Sequence, residues 1–306
     1  MVTLAPSVTH SDDKGRKFMD IVGTAYDKAK LPEDEAQNVN DAPGLAEVVA
    51  GFIADNRSSN KYKKEEVKPR WPYPASYKRE AIERQIDILR SAANFPFIDP
   101  DPAIKYYREV YGSLAQPEWV EGPFIIMPAS TLTKHFFPEV TDAAGQHCRA
   151  VNIGIEKLGA SRPFHNWRAG EITTDRFRRK ARYVPMYDRL YATQPNSDLI
   201  VVGGQYGKFH GGQPMRRALE RMQGQVSELP AGALEGVVMA LANPTRYSKW
   251  EELDTDLQAD EFRPGDEAGF SVSPYLSFGG DRLRFGMRGV GGPLERYGSV
   301  SVSVPQ

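Results

Sequence analysis

The sequence predicts an α+β protein in which N-terminal helices precede a mixed sheet with a C-terminal antiparallel part. Three observations carry that class. Apolar residues recur at helical spacing early in the chain, as at Ile82, Ile86 and Leu89. Beyond Gly122, short β-branched or alternating runs bounded by Gly or Pro take over, at 123–127, 198–202, 269–273, 283–287 and 300–304. Helical patterns return between them at 214–223 and 231–242.

Taken in order, Phe18, Ile21, Val22, Ala25 and Tyr26 predict a helix over 17–30, and Leu45, Val48, Val49 and Phe52 predict another over 43–55. The polar, proline-bounded stretch between them reads as a loop, and residues 56–66, almost free of apolar side chains, read as an exposed connection. Prolines 69, 72 and 74 then alternate with Trp71 and Tyr73, which favours an extended strap because each ring fixes φ and restricts the residue before it. The domain boundary is placed there, with 1–74 a peripheral helical segment and 75–306 a globular α+β domain. The strap is expected to pack on the core through its aromatic rings, a partner-binding arm being the alternative. Ser76 is positioned to cap a helix over 76–93, and a shorter helix over 102–111 is expected to stop at Gly112.

Composition bounds the function. With 306 residues, 40% of them hydrophobic and 26% charged, the chain is long and apolar enough for a packed core. One cysteine, Cys148, excludes an internal disulfide and any four-cysteine zinc site. The start lacks a basic region followed by an apolar run, and nothing later approaches the ~18 uninterrupted apolar residues of a membrane span, so a cytoplasmic setting without membrane contact is expected.

The net charge is −1, which argues against a surface given over wholly to nucleic acid, but the charge is uneven. Residues 57–84 hold nine Lys or Arg against four acids, and 162–189 hold eight against three. Residues 251–267 hold eight acids and one Arg, so the basic and acidic stretches are expected to face one another or solvent. Within 162–189, Phe164, Trp167, Phe177 and Tyr183 interleave with the cations, the mixture that backbone neutralisation and base stacking require. A helix with buried rings and snorkelling basic chains uses the same residues and ranks first.

The most informative stretch is LIVVGGQYGKFHGGQP at 199–214, leading into Met215, Arg216 and Arg217. It reads as strand, glycine-rich loop and helix, with Pro214 suited to a helix start. Free amides and the positive dipole end favour an anion there, and Lys208, His210, Arg216 and Arg217 would add cations. A small anionic or phosphate-bearing ligand is therefore the first expectation. The loop matches neither a P-loop nor the G-x-G-x-x-G fingerprint, so no cofactor follows. A hydrolase using His210 with a carboxylate such as Asp256 is the second expectation, and an RNA-associated or assembly protein using 57–84 and 162–189 the third. Whether the chain is an enzyme, and its oligomeric state, are left open by the residues.

Other signals are weaker. The triplets 203–205 and 211–213 repeat the Gly-Gly-Gln of release factors, but the first follows directly from a strand. Cys148 beside His147 is more often a small buried residue than a nucleophile. The five histidines lack i, i+4 spacing, and the acidic run lacks the glycine of a calcium loop, so no metal is predicted and a solvated acidic turn is expected. Finally, Val201–Ala218 with its Gln205–His210 core, the runs 237–241 and 243–246, acidic Asp254–Glu261 and terminal Tyr297–Ser299 resemble conserved hypothetical proteins of small-genome bacteria. The resemblance covers about the last third, implies a bacterial cytoplasmic origin, and brings no activity or catalytic residue with it.

Overall fold

Strands whose side chains alternate between two environments lay out the larger part of the molecule, seen in a computed structural model that describes residues 13–40, 49, 62–225, 227–265, 269–292 and 294–304. Two compact units are present, Met1–Arg57 and Ser58–Gln306. The proline and aromatic strap therefore belongs to the larger unit.

In the first unit, α1 spans Asp13–Ala29, as the periodicity predicts, and α2 spans Glu33–Asn40, where a loop is expected. Pro32 accepts the first helical hydrogen bond from Ala36 N, and Glu33, Asp34 and Glu35 sit at the positive end of the helix dipole. Tyr26 closes the pair by donating to Ala36 O. The helix expected over 43–55 lies outside the described residues apart from Val49.

The second unit is α+β. Its smaller sheet is wholly antiparallel, in the order β1 (Gly122–Ile126), β4 (Ile200–Gln205), β11 (Ser301–Ser303), β5 (Glu228–Pro230). The outer edge of β1 is closed by a side chain, for Gln85 donates to Pro123 O and accepts from Ile125 N. The larger, seven-stranded sheet is built around β8 (Val272–Gly279), which pairs antiparallel with β9 (Arg282–Gly289) along one edge. β2 (Phe164–Asn166) adds to β9 in parallel. Along the other edge of β8 lie β6 (Asp254–Asp256) and β7 (Asp260–Phe262), extended by parallel β10 (Tyr297–Ser299) and antiparallel β3 (Phe177–Arg179).

Register assigns the faces of this sheet. Leu276 opposes Phe285, Phe278 opposes Leu283 and Phe262 opposes Phe177, and these rings and aliphatic chains join the core. Tyr275, Ser277, Arg284 and Arg288 alternate with them, so the other face is polar. Beneath the apolar face run α6 (Ala143–Ser161) and α9 (Ala233–Ala242). Every residue of α9 is buried, as a helix apolar all round must be. α6, not anticipated, is capped by Asp142, which accepts from Gly145 N.

Elsewhere α4 (Asp101–Glu109) and α8 (Met215–Gln223) form where predicted, and α5 (Ala129–Phe136) and α7 (Val184–Ala192) add to them. The helix expected over 76–93 starts late: α3 spans Ile82–Asp87 and runs into a wider turn through Ala92. Residues 76–81 stay irregular because Tyr77 turns back on Pro74 O, Ser76 meets Ser248 instead of capping, and Glu80 N is taken by Asn243 Oδ1. The basic stretch 162–189 is likewise not one helix, since it supplies β2, β3 and α7. Its β3 pairs with β7, which sets basic and acidic stretches opposite each other, with Arg178 on Glu261 and Arg179 on Asp260.

Candidate nucleic-acid interface

The glycine-rich loop and the start of α8 form as the sequence predicts, with Gly207 and Gly212 at positive φ. The four cations expected to converge there do not. Arg216 makes a bidentate pair with Glu65, its Nε and Nη2 at 2.8 and 2.5 Å from the two carboxylate oxygens. Arg217 is buried against Glu66 and Glu220. Glu65 and Glu66 come from the segment before the strap, which crosses the loop with Val67 N donating to Gly212 O. His210 is fully buried, with Nε2 2.7 Å from Glu228 Oε1 and Nδ1 3.1 Å from Gln213 Oε1. Lys208 stays exposed. The space offered to an anion is thus occupied by the chain's own carboxylates.

Other candidates fare similarly. The carboxylate beside His210 is Glu228 and not Asp256, which is held by Arg288 at 2.7 and 2.8 Å. Glu228 also accepts from Ser301, so hydroxyl and imidazole share one carboxylate and the hydroxyl is not aimed at the imidazole. Gln205 is internal, bonded to Ser299 O and Ser301 Oγ, and cannot present itself to an ester. The acidic stretch is no solvated turn: Asp254, Asp256 and Asp260 are buried in β6 and β7. Burial works to raise the Asp260 carboxyl, but Arg179 and His147 overcompensate and hold it well below the usual carboxylate range. Arg179 reaches Glu235 as well, at 2.6 Å, so this group pins β3 to the start of α9. Among the described residues no group of three or more His, Cys, Asp or Glu is placed to hold a metal ion.

What the fold gathers instead lies on the polar face of the larger sheet. In the register of β2 with β9, His165 stands beside Arg284, and Trp167, two residues on, shares that side. Tyr275 on β8 opposes Gly286 and lies edge-on to Tyr297, centroids 5.8 Å apart. At the far end Trp250 packs over Gly279, where a Cβ would lie 2.8 Å from its ring and 3.2 Å from Arg284 Cζ, so glycine lets both approach. Arg296 lies among Trp71, Trp250 and Tyr297, at 5.8, 6.0 and 5.3 Å from their centroids. Trp167 and Trp250 are 55% and 54% exposed, unusual for the largest apolar side chain. Arg284 has no carboxylate partner among the described residues.

Beneath this layer, Asp256 neutralises Arg288 and Asp254 faces Arg296, with Nε 3.3 Å from Oδ2. Burial pushes the Asp254 carboxyl up to about 7, against the pull of Arg296. Three arginines thus stand over two acids, and one of those acids is only about half ionised near neutrality. Comparison with protein-family models, curated proteins and solved structures finds no match for this chain.

Sequence reasoning names Trp71 in the proline and aromatic strap and Trp167 in a basic, aromatic stretch, but it does not pick out Trp250, Arg284 or Arg296. The alternation of Arg282, Arg284 and Arg288 in a strand-like run was the signal available.

Proposed function

We propose that this protein binds a single-stranded nucleic acid on the polar face of the seven-stranded sheet. The observation that carries the reading is the exposed pair Trp167 and Trp250 flanking an uncompensated Arg284. Exposed indole rings offer stacking surfaces to splayed bases, and guanidinium groups between them offer bidentate contacts to phosphates. A duplex hides its base faces and gains little from such a surface. The single cysteine, Cys148, is buried and donates to Phe177 O, and a sequence with no second cysteine to pair with it supports a reducing, cytoplasmic setting. Among the described residues no helix is long and apolar enough to cross a membrane.

Titration of tryptophan fluorescence with oligo(U), oligo(dT) and a duplex of equal length tests this. Both single strands are expected to quench saturably and the duplex weakly. Trp167→Ala and Trp250→Ala should each cost about 1–3 kcal/mol, roughly fivefold to more than a hundredfold in affinity. Equal binding of duplex and single strand, or variants that bind like the parent, would overturn the reading; a preference between the two single strands identifies the natural class.

A further inference from the structure

A second, separate site lies where the smaller sheet opens. β11 follows β5 as far as Ser303 opposite Glu228, but its pairing with β4 ends at Val302 opposite Gly204. Where the two strands part, a pocket of about 310 Å³ is left between β4 and the turn after α4. That is the lower end of the range for small-molecule sites.

Its lining is informative because none of it is charged. The Gln116 amide and the Ser227 and Ser303 hydroxyls supply donors and acceptors, while Leu114, Pro117 and Val201, which shares the Gly203 face of β4, supply apolar walls. Tyr111 closes one side, and its sealed hydroxyl has no hydrogen-bond partner among the described residues. Gly203 forms the polar end: a Cβ there would lie 2.6 Å from both Gln116 Oε1 and Ser303 Oγ, so only a bare backbone lets these groups share the space. A charged ligand would lose its hydration here without an opposite charge to replace it. A planar ring with apolar faces and a hydrogen-bonding edge would match both kinds of wall.

We propose that this pocket binds an uncharged heteroaromatic ring of the nucleoside class, with Gln116 and Ser303 reading its edge and Tyr111 packing on its face. The site is independent of the sheet surface proposed above. Ligand-observed NMR with adenosine, uridine, adenosine monophosphate and glucose tests it on the full chain, with the Trp167→Ala, Trp250→Ala double variant as background so that the sheet surface does not contribute. At least one nucleoside should bind saturably, the monophosphate no better, and glucose not at all. Gln116→Ala, an exposed truncation that leaves the core untouched, and Ser303→Ala should each weaken that binding by about tenfold, the loss of roughly one hydrogen bond. Saturable binding of neither nucleoside, equal binding of glucose, or no change in either pocket variant overturns the proposal.

Discussion

Replacing His210 with Ala leaves the fully buried Glu228 facing only Ser301, with its second oxygen already lacking a partner among the described residues. Removing one member of such a buried pair is expensive, and a loss of about 3 kcal/mol or more is expected by urea unfolding. Adding Glu228→Gln should recover part of it. A single variant within about 0.5 kcal/mol of the parent would mean that the contact contributes little. At this scale the sequence was only partly legible. The glycine-rich loop and the helix start at Met215 are local and form where the sequence predicts them, but the cations at 208–217 do not converge on an open site. Their partners Glu65, Glu66 and Glu228 are set by tertiary contacts that no local pattern announces, which is why an open anion site is expected from the sequence where two arginine–glutamate ion pairs and a buried histidine–carboxylate contact are found.

At the scale of elements, β6 carries the pH response. Asp254 is buried beside Arg296, and its carboxyl is raised to about 7, above its ordinary value near 3.9. The folded state therefore binds this proton more tightly than the unfolded chain, and the group's contribution is fully present below about pH 4 and lost as pH rises toward 7. Asp254→Asn removes that dependence while keeping an acceptor for Phe278 N. Relative to the parent, the variant should gain on the order of a few kcal/mol between about pH 4 and 8, measured from urea midpoints; a difference that does not change with pH would contradict the assignment. Strand β9 forms around the alternating run at 283–287, whereas β8 begins only at Val272 and runs on to Gly279, so the run at 269–273 marks little more than its first two residues. The three-residue strands β2, β3, β5, β6 and β7 were not visible from the sequence, since three residues carry no period. Helix α6 was hidden by Gly145, Gly154 and Gly159, which lower helix propensity. Gly154 is there for packing, since a Cβ would press within 2.9 Å of Val237 on α9.

Across the whole molecule, the strap and the larger sheet build one surface from distant parts of the chain. Val67, Arg70 and Pro72 hydrogen-bond to Gly212, Glu295 and Leu253, and Tyr73 accepts from Tyr206 N and Lys208 N. Arg246, wholly buried, lies 4.5 Å from the Tyr73 centroid and 4.6 Å from that of Tyr247. The strap is thus packed on the core through its rings, as the sequence suggested, and it delivers Trp71 to Trp250 and Arg296. That assembly, not the overall charge of −1, carries the proposal of a nucleic-acid surface. The uncompensated charge is small, so affinity should fall only gently with salt, with a slope of about −0.7 for each phosphate neutralised and stacking supplying the rest. The most direct measurement is ultraviolet crosslinking of a single-stranded oligonucleotide to the protein, followed by mapping of the modified peptides. Crosslinks are predicted on the peptides bearing Trp167, Trp250 and Tyr275. Crosslinks confined to other surfaces, or none above those of a bulk protein control, would contradict the account.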